Sequence, residues 1–280
     1  MLKREKLLLY LILVLQKQGK LVTKTFLDKL LFLARKESNV CELVKFYNFY
    51  PHKYGPFSNN FYRDFADLES RGLLDGDFQL SDKGIALAET VGKAEKEVMV
   101  GVASRFSDTQ SVVNYVYTTY PEYTVKSELS AAKKEFKGAG VFSIGYEGKD
   151  IDSFLDALIQ NGVEVLVDVR ANPFSMNFSF TKNKLANSLE NVGIGYLHVP
   201  ELGIEGQHRQ NLGNEADYKQ LFEFYRKQIL PKSMDKVRML CELGGKKRIA
   251  LMCFECDKAQ CHRGVLSEAL EESGIRVTHL

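Results

Sequence analysis

The sequence predicts an α/β fold in which a parallel five-stranded sheet is flanked by helices and preceded by a mainly helical domain. Its 280 residues are about twice the usual length of one domain, which favours two. Past Gly138 short apolar runs alternate with helical patterns, as in βαβ units. Residues 1–137 carry 21 basic and 17 acidic side chains (+4), whereas residues 138–280 carry 17 and 19 (−2). Pattern and charge together place a domain boundary near Lys137.

The composition is that of a folded globular protein. Hydrophobic residues make up 45% and charged residues 26%, with six prolines, which excludes collagen-like and disordered classes. The net charge of +2 is too small to indicate nucleic-acid binding by itself. Five cysteines, an odd number, disfavour a disulfide framework, so we expect a reducing, cytoplasmic location.

The apolar run at residues 7–15 follows basic residues, as in a secretory leader. It lacks a small-residue cleavage site and is shorter than the roughly 18 residues that span a bilayer. We therefore expect a buried first helix and no membrane partner.

Turn residues organise the N-terminal part. Residues 3–36 predict two helices broken at Gly19, and Ser58 is placed to cap a further helix that ends at Gly72. Short apolar pieces around Asp75-Gly76-Asp77 then predict a β-hairpin. Helices followed by a hairpin wing are typical of a winged-helix domain.

Two segments of this domain resemble a known group. Tyr54-Gly55-Pro56-Phe57-Ser58 and Leu80-Ser81-Asp82-Lys83-Gly84 resemble the phage-associated, antitoxin-like winged-helix proteins over residues 1–90. The resemblance implies a DNA or protein partner for this domain. Residues 91–137 predict a helical extension that either packs on it or links it to the second domain.

Five apolar runs predict the strands of the second domain, residues 138–280. Three of them directly follow a helix-ending glycine, at Gly162, Gly193 and Gly274. Continuous Val, Ile and Leu runs with helical crossovers predict a parallel, Rossmann-like sheet, which binds ligands at the carboxyl ends of its strands. The predicted strands are Val141–Tyr146, Val163–Val169, Ile194–Val199, Arg248–Phe254 and Ile275–Leu280.

Polar side chains leave two predicted strands at that edge. Tyr146 and Glu147 follow the first strand, while Asp168, Arg170 and Asn172 follow the second. A guanidinium group there can bind a phosphate or carboxylate at two points. The alternative is an internal Asp168–Arg170 ion pair that holds the loop, and the sequence leaves both open.

Three of the five cysteines follow the fourth strand. Cys261 stands before His262 and Arg263 where a helix begins, a setting that lowers a thiol pKa, so it is the better nucleophile candidate. Cys253 ends an apolar strand, where a buried, inert thiol is the usual outcome.

Zinc and phosphatase chemistry are alternatives for the same stretch. Cys253, Cys256, Cys261 and His262 offer four zinc ligands, but adjacent residues rarely turn to one metal and Cys253 belongs to a strand. We therefore expect no metal. A phosphatase-like loop is disfavoured because His262, not arginine, occupies the sixth position after Cys256.

Four motifs stand in the order of a known family. Over residues 140–280 the chain resembles the domain-of-unknown-function family 488, which implies an α/β fold and a shared polar site but no reaction. The motifs are Ser143-Ile144-Gly145-Tyr146, Val167-Asp168-Val169-Arg170-x-Asn172-Pro173, Pro200-Glu201-Leu202-Gly203, and Cys253-x-Glu255 with Cys261-His262-Arg263.

A weaker likeness is to rhodanese-type sulfurtransferases. In them, an Asp-x-Arg motif, here Asp168 to Arg170, faces a cysteine in the place of Cys253. The glycine-containing anion loop expected after that cysteine is absent, because Phe254, Glu255 and Asp257 stand there.

Two functional hypotheses follow. In the first, the second domain is an intracellular enzyme acting on a phosphate-bearing small molecule, a nucleotide-like ligand or nucleic acid, and the first domain recruits or regulates. In the second, the protein is a transcriptional regulator that senses a ligand without turnover. The sequence specifies no cofactor. For the enzyme, the catalytic candidates are Asp168, Glu255, Cys253, Cys261 and His262, and the ligand-binding candidates are Tyr146, Glu147, Arg170, Asn172, Glu201 and Arg263.

Overall fold

The structure is a computed structural model that describes residues 1–129, 136, 138–209 and 213–280. The chain forms two compact units, Met1–Lys134 and Glu135–Leu280. The end of the predicted helical extension, at 130–135 and 137, lies outside the described residues, as does the boundary predicted near Lys137. In the described ranges, every helix falls short of the length and apolarity that crossing a bilayer requires.

The N-terminal unit is mainly helical, which confirms the predicted class. Its helices are α1 (Lys3–Lys17), α2 (Lys24–Glu37), α3 (Val40–Leu43), α4 (Asn59–Ser70), α5 (Asp82–Glu89), α6 (Lys93–Ser104) and α7 (Thr109–Thr119). Its strands β1 (Tyr50–His52) and β2 (Gly55–Phe57) pair antiparallel. The apolar run in α1 is buried on nearly all sides, since every side chain from residue 7 to 15 except Tyr10 is at most 7% exposed. The prediction of a buried first helix is thus confirmed.

The predicted turn and capping residues are confirmed. Gly19 and Gly72 have positive φ values of 68° and 61°, which glycine adopts without steric cost. The Ser58 hydroxyl accepts a hydrogen bond from the backbone amide of Phe61 at 3.3 Å, which caps α4.

The predicted hairpin around residues 75–77 is present in a minimal form. Around residues 75–77 the chain makes a single antiparallel bridge, Leu74 to Leu80, and the Asp75 carboxylate closes the turn. A longer hairpin, β1–β2, was not predicted, and in it Pro51 pairs with Pro56. Proline in both strands masks the strand signal, because proline is depleted from sheets.

Glu37, at the end of α2, ties α7 and the end of α6 to that helix. Its carboxylate accepts hydrogen bonds from the hydroxyls of Tyr115 (3.1 Å) and Tyr120 (2.8 Å) and pairs with Arg105. Burial raises the pKa of Glu37, but donation from Arg105, Tyr120 and Tyr115 outweighs burial, so the pKa lies below its ordinary value. A carboxyl group with a lowered folded-state pKa adds stability above its unfolded pKa of about 4.3, and this contribution is lost as the pH falls through the folded value.

We expect Glu37→Gln to lower the free energy of unfolding by about 1–2 kcal/mol at pH 7, the scale of lost charge-assisted hydrogen bonds. The difference from the parent should shrink as the pH falls below about 4. Urea denaturation followed by far-UV circular dichroism at both pH values measures it. Glu97→Gln, at an exposed position on α6, serves as the control. Equal stability of the Glu37 and Glu97 variants at pH 7 would contradict the assigned role.

The C-terminal unit is a parallel five-stranded sheet flanked by helices, which confirms the predicted fold class. The strands are β3 (Gly140–Gly145), β4 (Val165–Asp168), β5 (Gly195–His198), β6 (Arg248–Cys253) and β7 (Val277–His279), in the order β5-β4-β6-β3-β7. The helices are α8 (Ile151–Gln160), α9 (Lys182–Glu190), α10 (Glu215–Phe224), α11 (Met234–Gly244) and α12 (His262–Glu272), and a π-helical turn, Tyr225–Ile229, follows α10.

The sheet brings three carboxyl ends together. β6 lies between β3 and β4, and Gly145 pairs with Cys253 while Asp168 pairs with Met252. Since all these pairings are parallel, the loops that follow the three strands leave the same edge of the sheet. That edge carries the side chains on which the functional hypotheses depend.

Candidate functional site

A buried cluster of thiol and imidazole groups forms at this edge. The Cys253 Sγ atom lies 3.3 Å from the Glu255 carboxylate and 3.8 Å from His262 Nδ1. The Cys261 Sγ atom lies 3.9 Å from the same nitrogen. Cys253, Cys261 and His262 are each 1% exposed. The sequence-predicted catalytic candidates at the end of β6 and the start of α12 therefore come together.

The start of α12 explains how adjacent residues share one site. Cys261 is the N-cap of α12 and has extended backbone angles (φ −135°, ψ 138°), and its Sγ accepts from the Arg263 amide at 3.4 Å. His262 is the first helical residue. The change of backbone conformation between these two residues lets both side chains turn toward β6.

The imidazole of His262 is held in one orientation. Its Nε2 atom lies 3.2 Å from the Val169 carbonyl oxygen, which can only accept, so Nε2 carries the proton. The Tyr225 ring packs edge-on against it at 5.4 Å from the π-helical turn, and the Tyr225 hydroxyl donates to the Leu202 carbonyl at 2.9 Å. The unprotonated Nδ1 therefore faces the two thiols.

Arg209 completes the cluster, and sequence reasoning missed it. Its guanidinium donates to Glu255 Oε1 at 3.1 Å and to His262 Nδ1 at 3.2 Å, while its buried Nε has no partner among the described residues. It comes from a 3₁₀ turn, Gly206–Arg209. That turn has no periodic pattern and matches none of the four motifs, so only the basic residue itself was a signal.

The pKa values of the two buried thiols are shifted in opposite directions. Donation from the Cys261 thiol and the positive field of Arg209 hold the pKa of Cys253 well below its usual value despite burial. Its hydrogen bond to Cys253 and its own burial raise the pKa of Cys261. Sequence reasoning favoured Cys261 as the nucleophile, whereas these contacts favour Cys253.

Asp168 and Arg170 form an internal ion pair, one of the two alternatives that the sequence left open. The Arg170 guanidinium donates to Asp168 at 2.8 and 2.6 Å and to the Tyr146 hydroxyl at 3.0 Å. The Tyr196 hydroxyl also donates to Asp168, at 2.7 Å. Asp168 is fully buried and Arg170 is 6% exposed, so both groups hold the loop after β4.

Arg263, on α12, holds the loop that follows β6. Its guanidinium donates to the backbone carbonyls of Glu255 (3.1 Å) and Cys256 (3.2 Å), and the residue is 1% exposed. The same loop lies directly on Gly145, where an added Cβ would stand 1.9 Å from the Glu255 carbonyl oxygen. Arg263 and Gly145 thus fix the position of the Glu255 side chain from two sides.

The remaining predicted residues surround this framework. Tyr146 stacks on Phe180 with ring centroids 4.3 Å apart, and Glu147 accepts from the Cys256 amide at 3.0 Å. Asn172 is exposed and accepts from the Phe174 amide at 3.1 Å.

Glu201 is also exposed, and its carboxylate lies 3.8 Å from Lys236 Nζ. In the same motif, Gly203 packs against the loop after β4, where an added Cβ would lie 2.1 Å from the Ala171 nitrogen. These contacts indicate that the motif Pro200-Glu201-Leu202-Gly203 supports the loop after β4.

The cluster also has the composition of a metal site. Cys253, Cys261 and His262 each offer a ligand atom, and the three atoms lie within 4.8 Å of one another. The expectation of no metal depended on Cys261 and His262 pointing apart, which the structure does not show. Cys256, the fourth ligand considered from the sequence, is exposed, with its Sγ 4.0 Å from Lys149 Nζ.

A cleft of about 460 Å³ opens beside α12 and reaches the cluster from the side of Cys261. Cys261 and Gly264 line it, and its walls carry both charges, with Arg226 paired to Glu268. Of the two buried thiols, Cys261 lines this cleft and Cys253 does not.

The comparisons with known proteins give one match. The comparison with curated proteins found none, and the comparison with solved structures found none. The matched range, residues 150–270, includes Asp168, Arg209, the two buried cysteines and His262. Over these residues the C-terminal α/β unit is similar to the family described as domain of unknown function DUF488.

Proposed function

We propose that the C-terminal unit is a thiol-dependent enzyme in which Cys253 is the nucleophile. The observation that carries the proposal is the contact of one buried thiol with a carboxylate, an imidazole and, through them, a guanidinium. A nucleophilic cysteine needs a neighbour that accepts its proton and a positive field that stabilises the thiolate. Glu255 and His262 supply the acceptors, and Arg209 supplies the field.

The substrate class is anionic, and a phosphate-bearing ligand is the form the sequence predicts. Arg170 and Arg263 bind their own loops, so Arg209 is the guanidinium group best placed to meet an anion beside Cys253. It is about one-third exposed at its side chain, which gives it a solvent-facing side. The ligand would replace Glu255 as the partner of Arg209.

In this proposal the N-terminal unit is a recruitment module. Its helical character and its resemblance to winged-helix proteins support a DNA or protein partner. The five cysteines are all free, which suits a reducing compartment such as the cytoplasm. A rhodanese-like reaction is less well supported, because Arg170 contacts Asp168 and Tyr146 instead of facing a thiol-bound anion.

Alkylation of the full-length, chelator-treated protein by iodoacetamide at pH 7, read by peptide mass spectrometry, tests the proposal. We expect Cys253 to react at least about tenfold faster than the half-buried Cys241, because one pKa unit is worth about a factor of ten in thiolate. Arg209→Met should slow Cys253 by a similar factor.

The matched control is Arg238→Met, at an exposed position on α11, which should leave the rate unchanged. A Cys253 that reacts no faster than Cys241, or that does not respond to loss of Arg209, would remove Cys253 as the nucleophile.

A further inference from the structure

We propose that Cys253, Cys261 and His262 bind a thiophilic divalent cation of the zinc class. This inference goes beyond the proposed function, since it does not require Cys253 to be a nucleophile in catalysis. It assigns to the same cluster a second property, in which the bound ion covers the Cys253 sulfur.

The distances suit tetrahedral coordination. Zinc bonds of about 2.3 Å to sulfur and about 2.0–2.1 Å to nitrogen place neighbouring ligand atoms roughly 3.6–3.8 Å apart. The two sulfur atoms lie 3.8 and 3.9 Å from His262 Nδ1, and all three ligand atoms fall within 4.8 Å of one another. Shifts of a few tenths of an ångström would bring the trio onto one ion.

The imidazole already has the outer contact that metal-binding histidines use. In metal sites the ring nitrogen that does not bind the ion donates to a carbonyl or carboxylate, which fixes the tautomer and the ring. Here Nε2 donates to the Val169 carbonyl at 3.2 Å, and Tyr225 packs on the ring. Nδ1 carries the lone pair that would bind the ion, and Arg209 Nη2 donates to it at 3.2 Å.

Glu255 and Arg209 determine which group can occupy the fourth coordination position of the ion. Glu255 Oε2 is 3.3 Å from the Cys253 sulfur, so the carboxylate can supply an oxygen ligand or hold a water molecule there. Arg209 Nη2 lies 3.2 Å from His262 Nδ1 and would be displaced by a metal ion. A guanidinium group in this place shows that the surroundings favour a cation, and it makes Arg209 a competitor of the metal.

Titration of the reduced, metal-free, full-length protein with Co²⁺ tests the site, because thiolate ligands give cobalt a strong near-ultraviolet charge-transfer absorption. We expect saturation at one ion per chain, with at least a tenfold loss of affinity in Cys261→Ser and tighter binding in Arg209→Met. Cys256→Ser and Cys241→Ser are matched controls and should bind as the parent does. Absence of the charge-transfer band in the parent, or parental affinity in Cys261→Ser, would overturn the proposal.

A second measurement needs no variant. Zn²⁺ added to the parent should protect Cys253 from iodoacetamide and leave Cys241 and Cys256 unprotected. Where Cys253 reacts in the metal-free protein, equal labelling of Cys253 with and without Zn²⁺ would also overturn the site. The two proposals fail separately. A slow Cys253 in metal-free protein refutes the nucleophile alone, whereas a missing cobalt band refutes the metal site alone.

Discussion

Asp168→Asn should lower the free energy of unfolding of the C-terminal unit by about 3–5 kcal/mol, the cost of removing one partner from a buried ion pair. The variant keeps the shape of the side chain and removes its charge. Arg170, 6% exposed, would then remain buried without a counter-ion, and its donations at 2.8 and 2.6 Å would meet a neutral group. Urea denaturation by circular dichroism measures the loss, and alkylation of Cys261, which is buried and has a raised pKa in the folded protein, identifies the transition of this unit.

Two further variants separate the charge from the hydrogen bonds. Tyr196→Phe removes one neutral donor at 2.7 Å from Asp168 and should cost about 1–2 kcal/mol. The double variant Asp168→Leu/Arg170→Met removes both charges and should recover much of the loss, because apolar replacement of a buried pair is often nearly neutral. Parental stability of Asp168→Asn would show that the pair does not hold the loop.

The buried ion pair also changes the result expected for Arg170→Ala. If Arg170 bound a ligand anion, Arg170→Ala would lose ligand binding with unchanged thermal stability. The structure predicts that Arg170→Ala lowers stability as well, since it strands the fully buried Asp168 carboxylate. Loss of ligand binding in that variant would therefore report on folding as much as on contact.

The strands of the C-terminal unit could be predicted because their signals are local. Gly162, Gly193 and Gly274 end helices with φ values of 64°, 71° and 85°, and a strand begins two or three residues after each of them. A positive φ and a continuous apolar run both act over fewer than ten residues. The N-terminal hairpin lacks such a signal, since Pro51 and Pro56 face each other across it.

The sequence predicts where the candidate site lies, but it does not predict which role each residue has within the site. The edge of the sheet follows from parallel topology, which strand pattern predicts. The ranking of Cys253 over Cys261 depends first on the hydrogen bond between the two thiols and then on Arg209, which lies 44 residues before Cys253 in a 3₁₀ turn. The convergence of Cys261 and His262 depends on one residue of extended backbone before α12. Such long-range and single-residue geometry leaves no periodic trace.

The second large effect is expected at Gly145, the last residue of β3. A Cβ there would lie 1.9 Å from the Glu255 carbonyl oxygen and 2.6 Å from its carbon, and both are backbone atoms that cannot rotate away. Gly145→Ala should therefore displace the loop, lower the free energy of unfolding by about 3 kcal/mol, the upper part of the usual range for overpacking, and move the Glu255 carboxylate away from Cys253. Gly140→Ala is the matched control on the same strand, because its Cβ would meet only Phe142 at 3.8 Å, an ordinary contact. Urea denaturation and the alkylation rate of Cys253 measure the two consequences. If Gly145→Ala matched Gly140→Ala in both, the loop would not depend on close approach to β3, and the position of Glu255 would have to be set by Arg263 alone.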